Sequence, residues 1–93
     1  PSDDIEQLMD PVIGKKLKAQ SMVDAQTALK VLMDSTTSWK ERKDAAHYAV
    51  GSTGVVGFLQ LNSMLSDAEE AAKKSNQELM DVCVEELKKT LTN

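Results

Sequence analysis

The sequence predicts an all-α fold, an up-down antiparallel four-helix bundle with a short extra N-terminal helix, and three observations carry that expectation. Its apolar residues are mostly Leu, Met, Val and Ala, aromatics make up only 3% of the chain, and Leu, Met and Ala favour helix. Apolar positions recur three and four residues apart through most of the length. Between those runs stand helix-start signals, Asp before Pro or Ser three residues before Glu. At 93 residues the chain is one small domain, residues 1–93, expected to bury roughly 60 to 70% of its unfolded surface. Helices of this length joined by short loops should pack antiparallel, crossing near 20°.

Ile5, Leu8 and Met9 mark a short amphipathic turn or two, interrupted at Asp10 and Pro11. Asp10 as N-cap with Pro11 at the first helical position restarts a helix. Its apolar set begins Ile13, Leu17 and resumes Met22, Ala25, Leu29, Leu32, so the phase slips near Ala19 to Ser21, which is either a break or a change of face. The Ser/Thr cluster after Met33 should stop this helix by Ser35 to Thr37. Ser38 and Glu41 form a capping box with Trp39 at the first helical position, opening a helix of about four turns that ends around Thr53 to Val56. Gly57 permits the turn into the next helix, where Phe58, Leu61, Leu65, Ala68 and Ala72 make one apolar stripe. Asn62, Ser66, Glu69 and Lys73 form the polar stripe beside it. Ser66 and Glu69 also match a capping box, but the unbroken apolar stripe argues against a new start there. A further box, Ser75 to Glu78, opens the last helix, with Leu79, Cys83, Leu87 and Leu91 facing in.

Composition excludes several function classes. A formal net charge of -4 argues against nucleic acid or an anionic membrane as partner, both of which select basic surfaces. No apolar run approaches the roughly 18 residues a membrane span needs, and the start PSDDIEQ lacks the features of a signal peptide, so a cytoplasmic chain is expected. The single Cys83 cannot form an internal disulfide, and its helical spacing from Leu79 and Leu87 favours packing over redox chemistry. One His and one Cys without a spaced ligand set give no metal site. There is no P-loop, dinucleotide fingerprint or nucleophile elbow, hence no expected cofactor and no ATP site.

What remains is the stretch Ala45 to Leu61, which holds the only histidine and three of the four glycines. A helix through it puts Lys40, Lys43, Asp44, Val50, Gly51 and Gly54 within about 60° of His47, with Ala45, Ala49, Ser52 and Val56 on the opposite, packed side. The imidazole is thus expected on an outward face where Gly51 and Gly54 leave backbone uncovered. Each glycine inside a helix costs about 1 kcal/mol relative to alanine, which close approach by another molecule or helix would explain. The alternative is that Gly51, Gly54 and Gly57 only end one helix and open a turn.

Ala46, His47, Val50, Gly51, Ser52 and, ten residues after the histidine, Gly57 resemble the phosphoacceptor signature of histidine-containing phosphotransfer (HPt) domains, usually His-x-x-Lys-Gly with a later glycine. Trp39, eight residues before His47, and the Leu61, Leu65, Ala68 stripe are also similar to that family, and the chain length suits nearly the whole domain. One position departs: the family's lysine is Val50 here. The resemblance implies that His47 is a phosphoacceptor, taking a phosphoryl group from a receiver-domain aspartate or a kinase and passing it to a second receiver. Glu69, twenty-two residues after His47, stands where similar domains carry Glu or Gln close to the ring. In that role it accepts a hydrogen bond from Nδ1–H and leaves the Nε2 lone pair exposed; otherwise it is a solvated charge. Lys43 lies only about 40° from His47 around the helix, so its ammonium is a candidate charge partner in place of Val50. Lys40, Asp44, Val50, Gly51 and Gly54 become the surface a receiver covers. The expected partners are response-regulator receiver domains and a hybrid sensor histidine kinase, and the chain is expected to be a monomeric carrier and not an enzyme. Val50 motivates a second reading, an HPt-like adaptor or inhibitor that binds a receiver or kinase without accepting phosphate. A third is a structural bundle in which His47 is incidental.

Overall fold

The computed structural model describes residues 11–92, and these form four helices in succession: α1 (Pro11–Met33), α2 (Trp39–Val55), α3 (Leu59–Lys73) and α4 (Gln77–Thr92), with no strand among the described residues. The short helix expected around Ile5 to Met9, and the Asp10 cap, lie outside that range. One core joins all four helices, with Ala25, Leu29 and Leu32 from α1, Ala46 and Ala49 from α2, Leu61, Leu65 and Ala68 from α3, and Met80, Cys83 and Leu87 from α4. No helix among the described residues is long and apolar enough to cross a membrane.

α1 runs unbroken through Ala19 to Ser21, so the phase slip is a change of face. Beyond it Ser21, Ala25, Ala28, Leu29 and Leu32 are buried, while Ile13, expected on the apolar face, is exposed. The connection to α2 is fixed by local hydrogen bonds. Thr36 donates from N and Oγ1 to Asp34 Oδ1, and these bonds to the carboxylate hold the Asp34 carboxyl below its ordinary range. The capping box at the start of α2 is complete: Ser38 Oγ accepts from Glu41 N at 3.0 Å and Glu41 Oε1 accepts from Ser38 N at 3.1 Å.

The packed face of α2 is turned somewhat from the expected one: Ala49 and Val56 are buried as expected, but the rest of the face shifts. Arg42, Ala46, Ala49 and Thr53 are buried, whereas Ala45 and Ser52 are only half-buried. Arg42 can be buried because its polar atoms are used: Nε donates to Thr37 Oγ1 at 3.0 Å, Nη2 donates to Asp34 O at 3.1 Å, and the guanidinium stacks 4.5 Å from the Trp39 ring centroid. Its charge therefore sits just past the C-terminus of α1, where the helix dipole favours a cation.

α2 and α3 end in the same way. Gly57 N–H donates to Gly54 O and Phe58 N–H to Thr53 O, with Gly57 at φ 77°, a conformation that glycine reaches without strain. Ser75 N–H donates to Ala72 O and Asn76 N–H to Ala71 O, with Ser75 at φ 50°. Because Ser75 is the left-handed residue of that exit, it does not cap α4, which corrects the box expected from Ser75 to Glu78. Asn76 caps instead, its Oδ1 accepting from Leu79 N at 3.1 Å. The inward face of α4 shifts with it: Met80 is fully buried with Cys83 and Leu87, Leu91 is half-buried, and Leu79 is exposed. Burial pushes the Cys83 thiol pKa up, as suits a packing residue.

Candidate functional site

His47 is the central residue of α2, and its side chain is 75% exposed, as expected of the outward face. Across the α2–α3 seam its Nδ1 lies 2.9 Å from Glu69 Oε2, and the Glu69 side chain is only 14% exposed. An ionised carboxylate can only accept, so Nδ1–H is the donor, and in the neutral ring the Nε2 lone pair is then left free. Glu69 is aimed at the ring by the polar stripe of α3 that runs along α2. At one end of the seam Asn62 Nδ2 donates to Val50 O at 2.7 Å, and further along Glu69 meets His47. Rising residue numbers on α3 meet falling numbers on α2, so these two helices run antiparallel.

The lysines and Asp44 form a separate cluster on α2. Lys40 Nζ donates to Asp44 Oδ2 at 3.0 Å and Lys43 Nζ lies 3.6 Å from Asp44 Oδ1. The bond from Lys40, followed by the two lysine charges, holds the Asp44 carboxyl below its ordinary range. Lys43 is thus paired with Asp44 on the His47 face. Val50 is half-buried and packed against the core, so it offers a partner little surface. On the α3 side, Lys73 Nζ lies 3.7 Å from the same Glu69 oxygen that faces His47. Lys73 was legible only as one member of the polar stripe; its spacing of four residues from Glu69 is the signal that joins it to the site.

The last turns of α2 are tied from both sides. Ser21 Oγ donates to the Ser52 carbonyl at 3.0 Å, and Ser52 Oγ donates to Asp24 Oδ2 at 2.6 Å. From α3, Asn62 reaches Val50 O; within α2 itself Thr53 Oγ1, fully buried, donates to Ala49 O at 2.8 Å. These bonds leave the two glycines in different situations. A Cβ on Gly54 would stand 3.2 Å from Asn62 Nδ2, whereas one on Gly51 would meet nothing within 4 Å. Close approach within the chain accounts for Gly54 and leaves Gly51 unexplained. Gly51 opens instead onto a cleft of about 500 Å³ between α1 and α2, bordered by His47, Tyr48, Leu17, Asp24 and Val55. Neither this cleft nor the Ser21–Ser52–Asp24 link was legible in the sequence, because both depend on which face of α1 follows the phase slip.

Chemically, the arrangement is an exposed, oriented imidazole nucleophile with apolar surface on one side and charged surface on the other. Among the described residues no cluster of His, Cys, Asp or Glu is placed to hold a metal ion. No family model, no curated protein and no solved structure matches this chain.

Proposed function

We propose that the chain is a histidine phosphotransfer module of a two-component phosphorelay, with His47 as its phosphoacceptor. The observation that carries this reading is the 2.9 Å contact between His47 Nδ1 and Glu69 on an otherwise exposed ring, twenty-two residues apart in sequence. In this reading the up-down antiparallel bundle is a rigid carrier with no cofactor, working as a cytoplasmic monomer. His47 Nε2 attacks the aspartyl phosphate of a receiver domain, or takes the group from a hybrid sensor kinase, and yields it to a second receiver. In-line transfer needs positioning and charge neutralisation, which the partner supplies with its own Mg²⁺. Gly51 and the adjoining cleft give the receiver room to seat over the imidazole, with Lys40, Asp44 and Gly54 on the rim and Val50 at its buried edge. Lys43, four residues before His47, is a candidate charge partner for the phosphoryl oxygens, so Lys43→Ala should slow acceptance more than Lys40→Ala does.

Incubation with a panel of phosphorylated receivers tests the reading directly. Acid-labile, base-stable label on wild type and none on His47→Gln supports it. The valine at position 50, packed inward where the family's signature has a cation, favours one alternative: an HPt-like adaptor or inhibitor that binds receivers or kinases without accepting phosphate. Stable receiver binding without label would establish that alternative.

A further inference from the structure

Lys73 lies one helical turn beyond Glu69 on α3, its ammonium 3.7 Å from Glu69 Oε2 and 3.6 Å from Glu70 Oε1. Both distances exceed the 2.7–3.2 Å of an N–H···O hydrogen bond, and the side chain is 49% exposed. Charge alone holds it there. Lys40, by contrast, is hydrogen-bonded to Asp44 at 3.0 Å; Lys43, 3.6 Å from the same carboxylate, is held no more tightly than Lys73 but stands on α2.

We propose that Lys73 is a cation that meets the phosphoryl group on His47 in addition to Lys43, turning from Glu69 to the phosphoryl oxygens as the N–P bond forms; this rests on the phosphotransfer reading above. A phosphoryl group adds about two negative charges at Nε2, while the ionised Glu69 already faces Nδ1 of the same ring. Two anions then flank one imidazole, and Lys73 is placed to meet both because it stands on the α3 side, where Glu69 itself is mounted. Lys73 shares an oxygen with the ring nitrogen, and its four-carbon stem carries three donors that rotate freely. Position 50, packed against the core with a valine, offers no such group.

Phosphoramidate, a small phosphoryl donor, tests this without any protein partner. The Nε2 lone pair forms the new N–P bond, the donor's P–N bond breaks, and ammonia leaves with that electron pair. Nδ1 keeps its hydrogen, and the ring gains the positive charge that Glu69 faces. Labelling is followed on the full chain by phosphorus NMR. Lys73→Ala should label about 10-fold more slowly than wild type, and Lys73→Arg within about 3-fold of it. Lys88→Ala, which removes a lysine paired with Glu85 on α4, should match wild type and so controls for overall charge. The ε-methylene NMR signal of Lys73 should also move on phosphorylation. Equal rates for Lys73→Ala and wild type, equal losses in Lys73→Ala and Lys73→Arg, a matching loss in Lys88→Ala, or an unmoved ε-methylene signal would each overturn the inference alone. No label on wild type from phosphoramidate or from phosphorylated receivers would overturn the phosphotransfer reading, and this inference with it.

Discussion

α2 and α4 are nearly equal in length, 17 and 16 residues, yet they are held in place by different means. α4 buries Met80 and Leu87, large side chains whose removal from water does most of the work, with the smaller Cys83 between them. α2 buries Ala46, Ala49, Thr53 and an internally paired Arg42, which together bring far less apolar area. Its register comes from directional bonds: the capping box at Ser38, the Arg42 links to the preceding turn, Ser21 and Asp24 from α1, and Asn62 from α3. Small side chains also let α1 and α3 approach closely enough for Glu69 to span the seam. One helix contributes cohesion. The other contributes position, which on the phosphotransfer reading suits the helix that carries His47.

Substitutions should therefore separate the two properties. The largest effect is expected from His47→Gln, which should abolish phosphoryl acceptance while shifting unfolding free energy by less than about 0.5 kcal/mol, as is usual for an exposed site. Label that persisted in this variant would place the acceptor elsewhere. Next comes Leu87→Ala on α4, where the side chain is fully buried. Urea unfolding should register a loss of about 2–5 kcal/mol, with the labelling rate of the remaining folded molecules unchanged. A selective loss of labelling in folded Leu87→Ala would show that α4 also positions the site. Smaller still is Glu69→Ala, which removes the partner of Nδ1 but leaves the nucleophile, so acceptance should slow by about 5- to 10-fold. An unchanged rate would return Glu69 to the status of a surface charge.

The contrast between the helices also governs what the sequence could reveal. The start of α2 was legible because its capping box is made by neighbours in the chain, Ser38 and Glu41. So was the buried stripe of α3, where Leu61, Leu65, Ala68 and Ala72 repeat at helical spacing. The packed face of α2 was misplaced by part of a turn because alanine, serine and threonine give little contrast, and because a buried arginine is legible only once its acceptors, Asp34 O and Thr37 Oγ1, are in place. The start of α4 was misread by one residue, since a Ser-x-x-Glu pattern does not disclose that Ser75 is already committed to the left-handed exit of α3. The pairing of His47 with Glu69 was expected from the resemblance and is seen at hydrogen-bonding distance. Lys73 and the cleft beside Gly51 emerged only from how the helices pack.

The smallest expected effects lie at the two glycines, and they bear on the positional role of α2 most directly. Alanine in place of an interior helical glycine gains about 1 kcal/mol from backbone propensity where the site has room. Gly51 has that room, since an added Cβ meets nothing within 4 Å, so Gly51→Ala should stabilise the fold by up to about 1 kcal/mol in urea unfolding. At Gly54 the new methyl would press on Asn62 Nδ2 at 3.2 Å and disturb its bond to the Val50 carbonyl. A hydrogen bond of this kind contributes about 0.5–1.5 kcal/mol, enough to cancel the propensity gain, so Gly54→Ala should be neutral to mildly destabilising. Their functional effects should differ as well. Gly51→Ala places a methyl on the rim of the cleft beside His47, so it should weaken receiver-dependent transfer while leaving labelling by phosphoramidate near wild type. If Gly51→Ala stabilises the fold and transfers as fast as wild type from every receiver tried, the uncovered backbone at Gly51 is no part of a docking surface, and the case for a receiver seated there fails.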